Sequence, residues 1–284
     1  MTAITLTASM RSNLSSLKTI QAQMDKTQER LSTGKKVNSA IDNASSFYQS
    51  RALTNRASDL DGLLDSMGQG IQTIQAANEG IEAVTAFVDQ LKSIANSAVA
   101  LDPTAETYDT TIASYKEQFD AIIGEIGKVV KDASYQGVNL LTGGKLSVTF
   151  NESRSHSFDV QGDDVVAKMG ITAADTKWVA DEDAGTTIAD AIGGEDGTLD
   201  QISKAVDYLR SYSTKLGNNF TIIETRQDFT EAMINVLETG SDNLVLADMN
   251  EESANYLALQ TRQQLAVNSL SLAAQSAQSV LSLF

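Results

Sequence analysis

The chain has 284 residues, a formal net charge of −16, a single proline and histidine, and no cysteine. That length allows one or two domains with ample core. The acidity excludes nucleic-acid binding through a broad basic face, and the missing thiols exclude disulfides and thiolate metal sites. Only 6% of the residues are aromatic, which favours long helices over a compact β fold. The charge is uneven: Lys18, Lys26, Arg30, Lys35 and Lys36 make the N-terminal segment basic, while acids crowd 175–200. No apolar secretory core is visible in 1–10.

In chain order, Met10, Leu14, Leu17, Gln21, Met24, Gln28 and Leu31 alternate at spacings of four and three, which predicts a heptad seam. Gly34 is a plausible helix stop, and 35–46 reads as a polar linker. A long helix follows, with Leu60, Leu64, Met67, Ile71, Ile74, Asn78, Ile81, Val84, Val88, Leu91, Ala95 and Ala98 on one stripe. Gly62, Gly68, Gly70 and Gly80 interrupt it and point to close helix packing. Asp102-Pro103 reads as an N-cap with proline in the first turn. It opens a helix carrying Ile112, Tyr115, Phe119, Ile122, Ile126, Val129 and Ala133. A turn-rich loop at 135–144 leads to alternation at Leu146, Val148 and Phe150, a turn over 151–156 and a return at 157–160, so a hairpin is expected. Acidic loops at 181–185 and 193–197 read as flexible, solvated tips lacking calcium-loop spacing. Helical periodicity resumes at Leu199, and Gly240-Ser241 precedes the last helix.

That last helix holds a second seam: Met249, Glu252, Tyr256, Leu259, Gln263, Ala266, Leu270, Ala273, Ala277, Val280 and Phe284. Ala258, Leu265 and Leu272 run beside it. No side chain from 263 to 284 is charged, and a lone solvated helix normally carries charge on its outer face. The segment therefore reads as buried by other protein. Gln263, Gln264, Asn268, Gln275 and Gln278 argue against a membrane span.

No catalytic constellation emerges. His156 falls in the predicted hairpin turn, and the acidic pairs Asp163-Asp164 and Glu251-Glu252 diverge on a strand or helix. The expectation is a non-enzyme without cofactor or metal.

Three segments together resemble the bacterial flagellin family. Leu31-Ser32-Thr33-Gly34-Lys35-Lys36-Val37-Asn38-Ser39-Ala40-Ile41-Asp42-Asn43-Ala44 is similar to its N-terminal signature. Tyr135-Gln136-Gly137-Val138-Asn139-Leu140-Leu141 resembles its helix-to-hairpin loop, with Gln136 where Asn is usual. Ala247-Asp248-Met249-Asn250-Glu251-Glu252-Ser253 and 277–284 resemble its C-terminal signature. The short middle is similar to that of alphaproteobacterial flagellins. The resemblance implies a mostly α fold of long antiparallel helices with an N- and C-terminal coiled coil, plus a small outer region containing a β-hairpin. Terminal helices at 1–40 and 244–284 would form the inner core, 41–144 and 197–243 a helical shell, and 145–196 the outer region.

The implied function is a self-polymerising subunit of the flagellar filament, secreted unfolded by the flagellar type III system. Its partners would be copies of itself, the export apparatus, a chaperone and cap proteins, with no nucleic acid and no membrane insertion. A hook–filament junction protein is the alternative. The expected assembly seam comprises Met10, Leu14, Leu17, Met24, Leu31, Leu259, Leu265, Ala266, Leu270, Leu272, Ala273, Ala277, Val280 and Phe284. The resemblance also marks Gln90, Leu91 and Ile94 as a candidate contact segment for a Toll-like receptor, with Gln90 where the family carries an arginine.

Overall fold

The computed structural model describes residues 8–171, 178 and 187–281. The order of elements is α1 (Ala8–Thr33), α2 (Ala44–Val99), α3 (Tyr108–Asp132), β1 (Lys145–Thr149), β2 (Ser157–Gln161), α4 (Val165–Met169), α5 (Ile188–Gly193), α6 (Thr198–Val245) and α7 (Met249–Leu281). The expected mostly helical class with one two-stranded sheet holds. The chain divides into two compact units, Met1–Ala57 with Asn235–Phe284 and Ser58–Ile234; α2 and α6 contribute residues to both.

The second unit buries its own apolar stripes. Met67, Ile74, Ile81, Val84, Val88, Leu91 and Ala95 recur at helical spacing along α2 and are fully or almost fully buried. They join Ile112, Phe119, Ile126 and Val130 of α3 and Ile202, Leu209, Leu216 and Ile223 of α6 in one core. Phe119 meets Trp178 edge-on at 5.2 Å between ring centroids. The hairpin pairs Leu146 with Val160 and Val148 with Phe158. Its apolar face turns Val148 and Val160 into the same core, while Lys145 and Asp159 pair at 2.9 Å outside it.

Close packing explains two of the four glycines of α2. A Cβ at Gly70 would stand 2.7 Å from Val148 Cγ2, and one at Gly80 would stand 2.6 Å from Leu141 Cδ1 and 2.7 Å from the Cβ of Ala133. Leu141 has a rotamer to yield, but the Ala133 Cβ is fixed to backbone. Gly62 and Gly68 face open space. Gly80→Ala should therefore destabilise this unit by about 1–2 kcal/mol, overpacking outweighing the gain in helix propensity. Gly68→Ala should stabilise it by up to about 1 kcal/mol. Thermal unfolding of the two variants checks both signs.

A polar clamp fixes the loop between α3 and β1. Asn139 Nδ2 donates to the carbonyl of Val130 at 2.7 Å, and Asn139 Oδ1 accepts from Leu141 N at 2.8 Å. Tyr212 Oη donates to Leu140 O at 2.7 Å and accepts from Asp163 N at 3.2 Å. Tyr208 stacks parallel on Tyr212 with centroids 6.0 Å apart, and its buried hydroxyl has no partner among the described residues. Burial first, and the Asp163 charge second, push the Tyr208 phenol up to about 12. Because the folded value lies above the ordinary 10.0, the unfolded chain ionises first as pH rises, so stability is full below about pH 10 and falls between 10 and 12. Tyr208→Phe should flatten that alkaline loss and add about 1 kcal/mol at neutral pH by removing an unsatisfied hydroxyl. Denaturant melts at pH 7.5 and 11 check this.

Three sequence expectations are corrected. Asp102 does not cap a helix. Its Oδ1 accepts from Thr104 N at 2.9 Å and Thr104 Oγ1 at 2.7 Å, closing a local turn, and α3 begins only at Tyr108. Residues 193–197 are not a flexible tip. Thr187 and Asp190 form a capping box on the short helix α5, Gly194 N and Gly197 N close turns at 2.7 and 2.9 Å, and Ile192 and Thr198 are completely buried. The other acidic loop, 181–185, lies outside the described residues. Gly240-Ser241 sits inside α6, and the break before α7 falls at 246–248. The short helices α4 and α5 are additions, since neither is long enough to show a period.

Candidate assembly surface

α1 stops where its sequence says it should. Gly34 takes φ +71°, a left-handed conformation that glycine adopts without penalty, and its N–H closes on Arg30 O at 2.8 Å. The chain then pairs with the segment entering α7: Lys36 N donates to Val245 O at 2.7 Å and Ala247 N to Gly34 O at 2.9 Å. Asn43 Oδ1 caps α2 through Ser46 N at 3.1 Å, and Asp248 Oδ1 caps α7 through Asn250 N at 2.8 Å. Ser241 joins Ser50 Oγ (2.8 Å) and Thr54 Oγ1 (3.0 Å) in a buried hydroxyl cluster tying α6 to α2. This joint carries α1 and α7 as an antiparallel pair.

The pair is pinned at two levels. Arg30 Nη1 lies 2.7 Å from Glu252 Oε1, and Gln263 Nε2 donates to Gln21 Oε1 at 2.7 Å. Glu252 is buried while Arg30 stays partly exposed. An ionic pair in such a seam fixes register more than it adds stability. On α7 the covered positions are Glu252, Tyr256, Leu259, Gln263, Ala266, Leu270 and Ala273. Met249, at the start of that line, is exposed. The side chains of Ala277 and Val280 and the whole of Phe284 lie outside the described residues.

On α1 the seam runs one step off the sequence reading. The covered positions are Met10, Asn13, Leu17, Ile20, Met24, Thr27 and Leu31, so Ile20 and Thr27 replace Gln21 and Gln28. Leu14 is 38% exposed and leaves the seam. The missed signal is Ile20: the four-three spacing strands it on the outer face, whereas three-four buries it.

Ala258, Leu265 and Leu272 do not run beside the α7 seam. At seven-residue intervals they lie on the opposite side of the helix, where Leu265 is 64% and Leu272 67% exposed. Leu257 and Val267 are exposed as well. Ten of the twelve large apolar side chains exposed among the described residues belong to the unit formed by Met1–Ala57 and Asn235–Phe284. One unit thus covers its apolar residues while the other leaves them open. In the candidate receptor segment Gln90 is exposed and Ile94 packs partly on the core; Leu91 is wholly buried and offers a partner no surface.

No group of three or more His, Cys, Asp or Glu side chains arranged to hold a metal occurs among the described residues. No described helix is long and apolar enough to cross a membrane.

Comparison with known proteins matches the family model for the bacterial flagellin N-terminal helical region over residues 4–145 and that for the C-terminal helical region over 199–284. The chain belongs to the bacterial flagellin family and is a structural subunit of the flagellar filament; the hook–filament junction reading is not favoured. Among its relatives, a flagellin of Brucella melitensis is 31% identical over 100% of this chain and 99% of its own length. Flagellin FljM of Caulobacter vibrioides is 30% identical over 95% of this chain and 94% of its own. A crystal structure of Bacillus cereus flagellin aligns with TM-score 0.45 at 10% identity, covering 58% of this chain and 88% of that one.

Proposed function

We propose that the chain leaves the cell unfolded through the flagellar type III apparatus, escorted by a chaperone, and polymerises beneath a cap into an extracellular filament. In that filament 1–40 and 244–284 form the inner coiled-coil layer, 41–144 and 197–243 the helical shell, and 145–196 the outer region. The observation that carries this is the uncovered face of α7, with Leu257, Leu265 and Leu272 open to solvent and no charge beyond Arg262. An isolated helix with that surface is poorly solvated, and repeated copies supply the missing cover. The lack of thiols suits passage in an unfolded state and arrival in an oxidising medium. Fractionation of a producing culture tests the route: the chain should pellet with extracellular filaments, and should stay in the cells when the export apparatus is deleted. Equal release without that apparatus would refute it.

A weaker encounter with a Toll-like receptor is also proposed. Gln90 is exposed on α2, and a neutral amide lacks the charged fork of guanidinium. Gln90→Arg should raise the reporter-cell response to monomer; no change would end this reading.

A further inference from the structure

Seven methionines carry all the sulfur of this chain, since cysteine is absent. Their placement is uneven. The buried side chains of α1 are Met10, Met24 and Thr27, and the two methionines are each 8% exposed. They stand two heptads apart on the covered line Met10, Leu17, Met24 and Leu31 of the seam. Along α1, Met24 falls between the residues that pin the pair, Gln21 to Gln263 and Arg30 to Glu252. By contrast Met67 and Met169 sit deep in the core of the other unit, and Met249 is exposed at the start of α7.

A thioether is the group in such a chain that a peroxide oxidises first, because no thiol competes for the oxidant. The step is a two-electron transfer of oxygen. The sulfur lone pair attacks one oxygen of hydrogen peroxide, the O–O bond breaks, and the second oxygen leaves as water once the proton has moved across. Sulfur is oxidised to the sulfoxide and peroxide is reduced. A soft apolar side chain becomes a polar, chiral one. In the closed seam that oxygen is stripped of water, so a sulfoxide at Met10 or Met24 weakens the pairing of α1 with α7.

We propose that Met10 and Met24 form a peroxide-sensitive modification site that gates polymerisation. Met10 lies in the first described turn of α1, where a helix frays, and the pair holds few buried groups. Peroxide reaches both sulfurs when α1 lifts from α7 in the lone subunit. Oxidised subunits then join the filament poorly, whereas neighbouring copies shield the sulfurs of subunits already incorporated. Methionine sulfoxide reductases, one for each epimer, return oxidised subunits to the competent pool. The site rests on the filament reading.

The test treats full-length monomer and preformed filaments with hydrogen peroxide, removes the excess with catalase, and weighs the peptides for one added oxygen. Met10 and Met24 should be oxidised in the monomer and spared in filaments, while Met67 stays reduced in both. The critical concentration of the treated monomer should rise about tenfold or more, and the two reductases should restore it. Leucine keeps the volume and apolarity of methionine. The double variant Met10→Leu with Met24→Leu should therefore polymerise normally and keep its critical concentration after peroxide, although Met249 is still oxidised. If the double variant polymerises poorly before treatment, the single variants Met10→Leu and Met24→Leu are compared instead, and each should retain part of the protection. An equal rise in the Leu variants and the unsubstituted chain would overturn the proposal, as would equal oxidation of Met10 and Met24 in monomer and filament. Failure of the untreated, unsubstituted chain to form filaments would instead strike the filament reading beneath it.

Discussion

Leu265→Asp combined with Leu272→Asp abolishes polymerisation and leaves the monomer's unfolding unchanged. Both side chains lie on the outer side of α7, away from α1, and about two thirds of each is in solvent. The monomer therefore loses almost nothing on substitution. In an assembly that covers them, each leucine contributes about 1.5–3 kcal/mol of apolar burial. A carboxylate in its place adds an unpaired charge in apolar surroundings. The loss exceeds about 3 kcal/mol for each subunit, which lifts the critical concentration more than about a hundredfold. Sedimentation against protein concentration measures it. Pelleting of the double variant at the ordinary concentration would show that this face is not an assembly contact.

The second large effect concerns the terminal helices in the monomer. Of the 26 residues of α1, the buried ones are Met10, Met24 and Thr27, and among the described side chains of α7 only Glu252 is buried. Ordering a residue costs roughly 1–2 kcal/mol of backbone entropy. A pair joined by so few buried groups, with Gln21–Gln263 and Arg30–Glu252 at its seam, returns little against that. We expect the pairing to be marginal in the lone subunit and to be completed by neighbouring copies, so that folding of these helices is coupled to assembly. Brief protease treatment of monomer should remove α1 and α7 and stall near Gly34 and Ala247, where the crossover segments hydrogen-bond to each other. A stop at Gly240 is not expected, since that residue lies within α6. Filaments should resist. Equal resistance of α1 and α7 in monomer and filament would contradict the coupling.

How far the sequence dictates each element depends on the kind of signal it carries. Long stripes such as Met67, Ile74, Ile81 and Val88 fix a helix because the period repeats many times and each position is buried. The hairpin is legible because Leu146, Val148 and Phe150 alternate before a turn of the right length. The end of α1 is legible because Gly34 adopts a left-handed backbone. By contrast, the register of α1 is ambiguous: Leu14 and Ile20 are both apolar, and one-step shifts of a heptad differ by only a few side chains. The partner helix α7 decides it, and that information is tertiary. Asp102 shows a related limit. The same carboxylate serves a helix cap or a local turn, and only the backbone beyond Pro103 says which. In sequence the line of Leu265 and Leu272 suggests a widening of the seam, because a broad apolar surface looks continuous, whereas the seam position fixed by α1 leaves both side chains on the far side and exposed.

Seeded elongation observed by electron microscopy tests whether α1 and α7 build the inner layer of the filament. Purified full-length chain is added to short filament fragments, and the resulting density is averaged along the helical axis. The expected result is elongating tubes whose innermost layer is built of α1 and α7, with Leu265 and Leu272 against neighbouring subunits. Elongation that leaves α7 on the outer surface, or no elongation at any concentration, would contradict it.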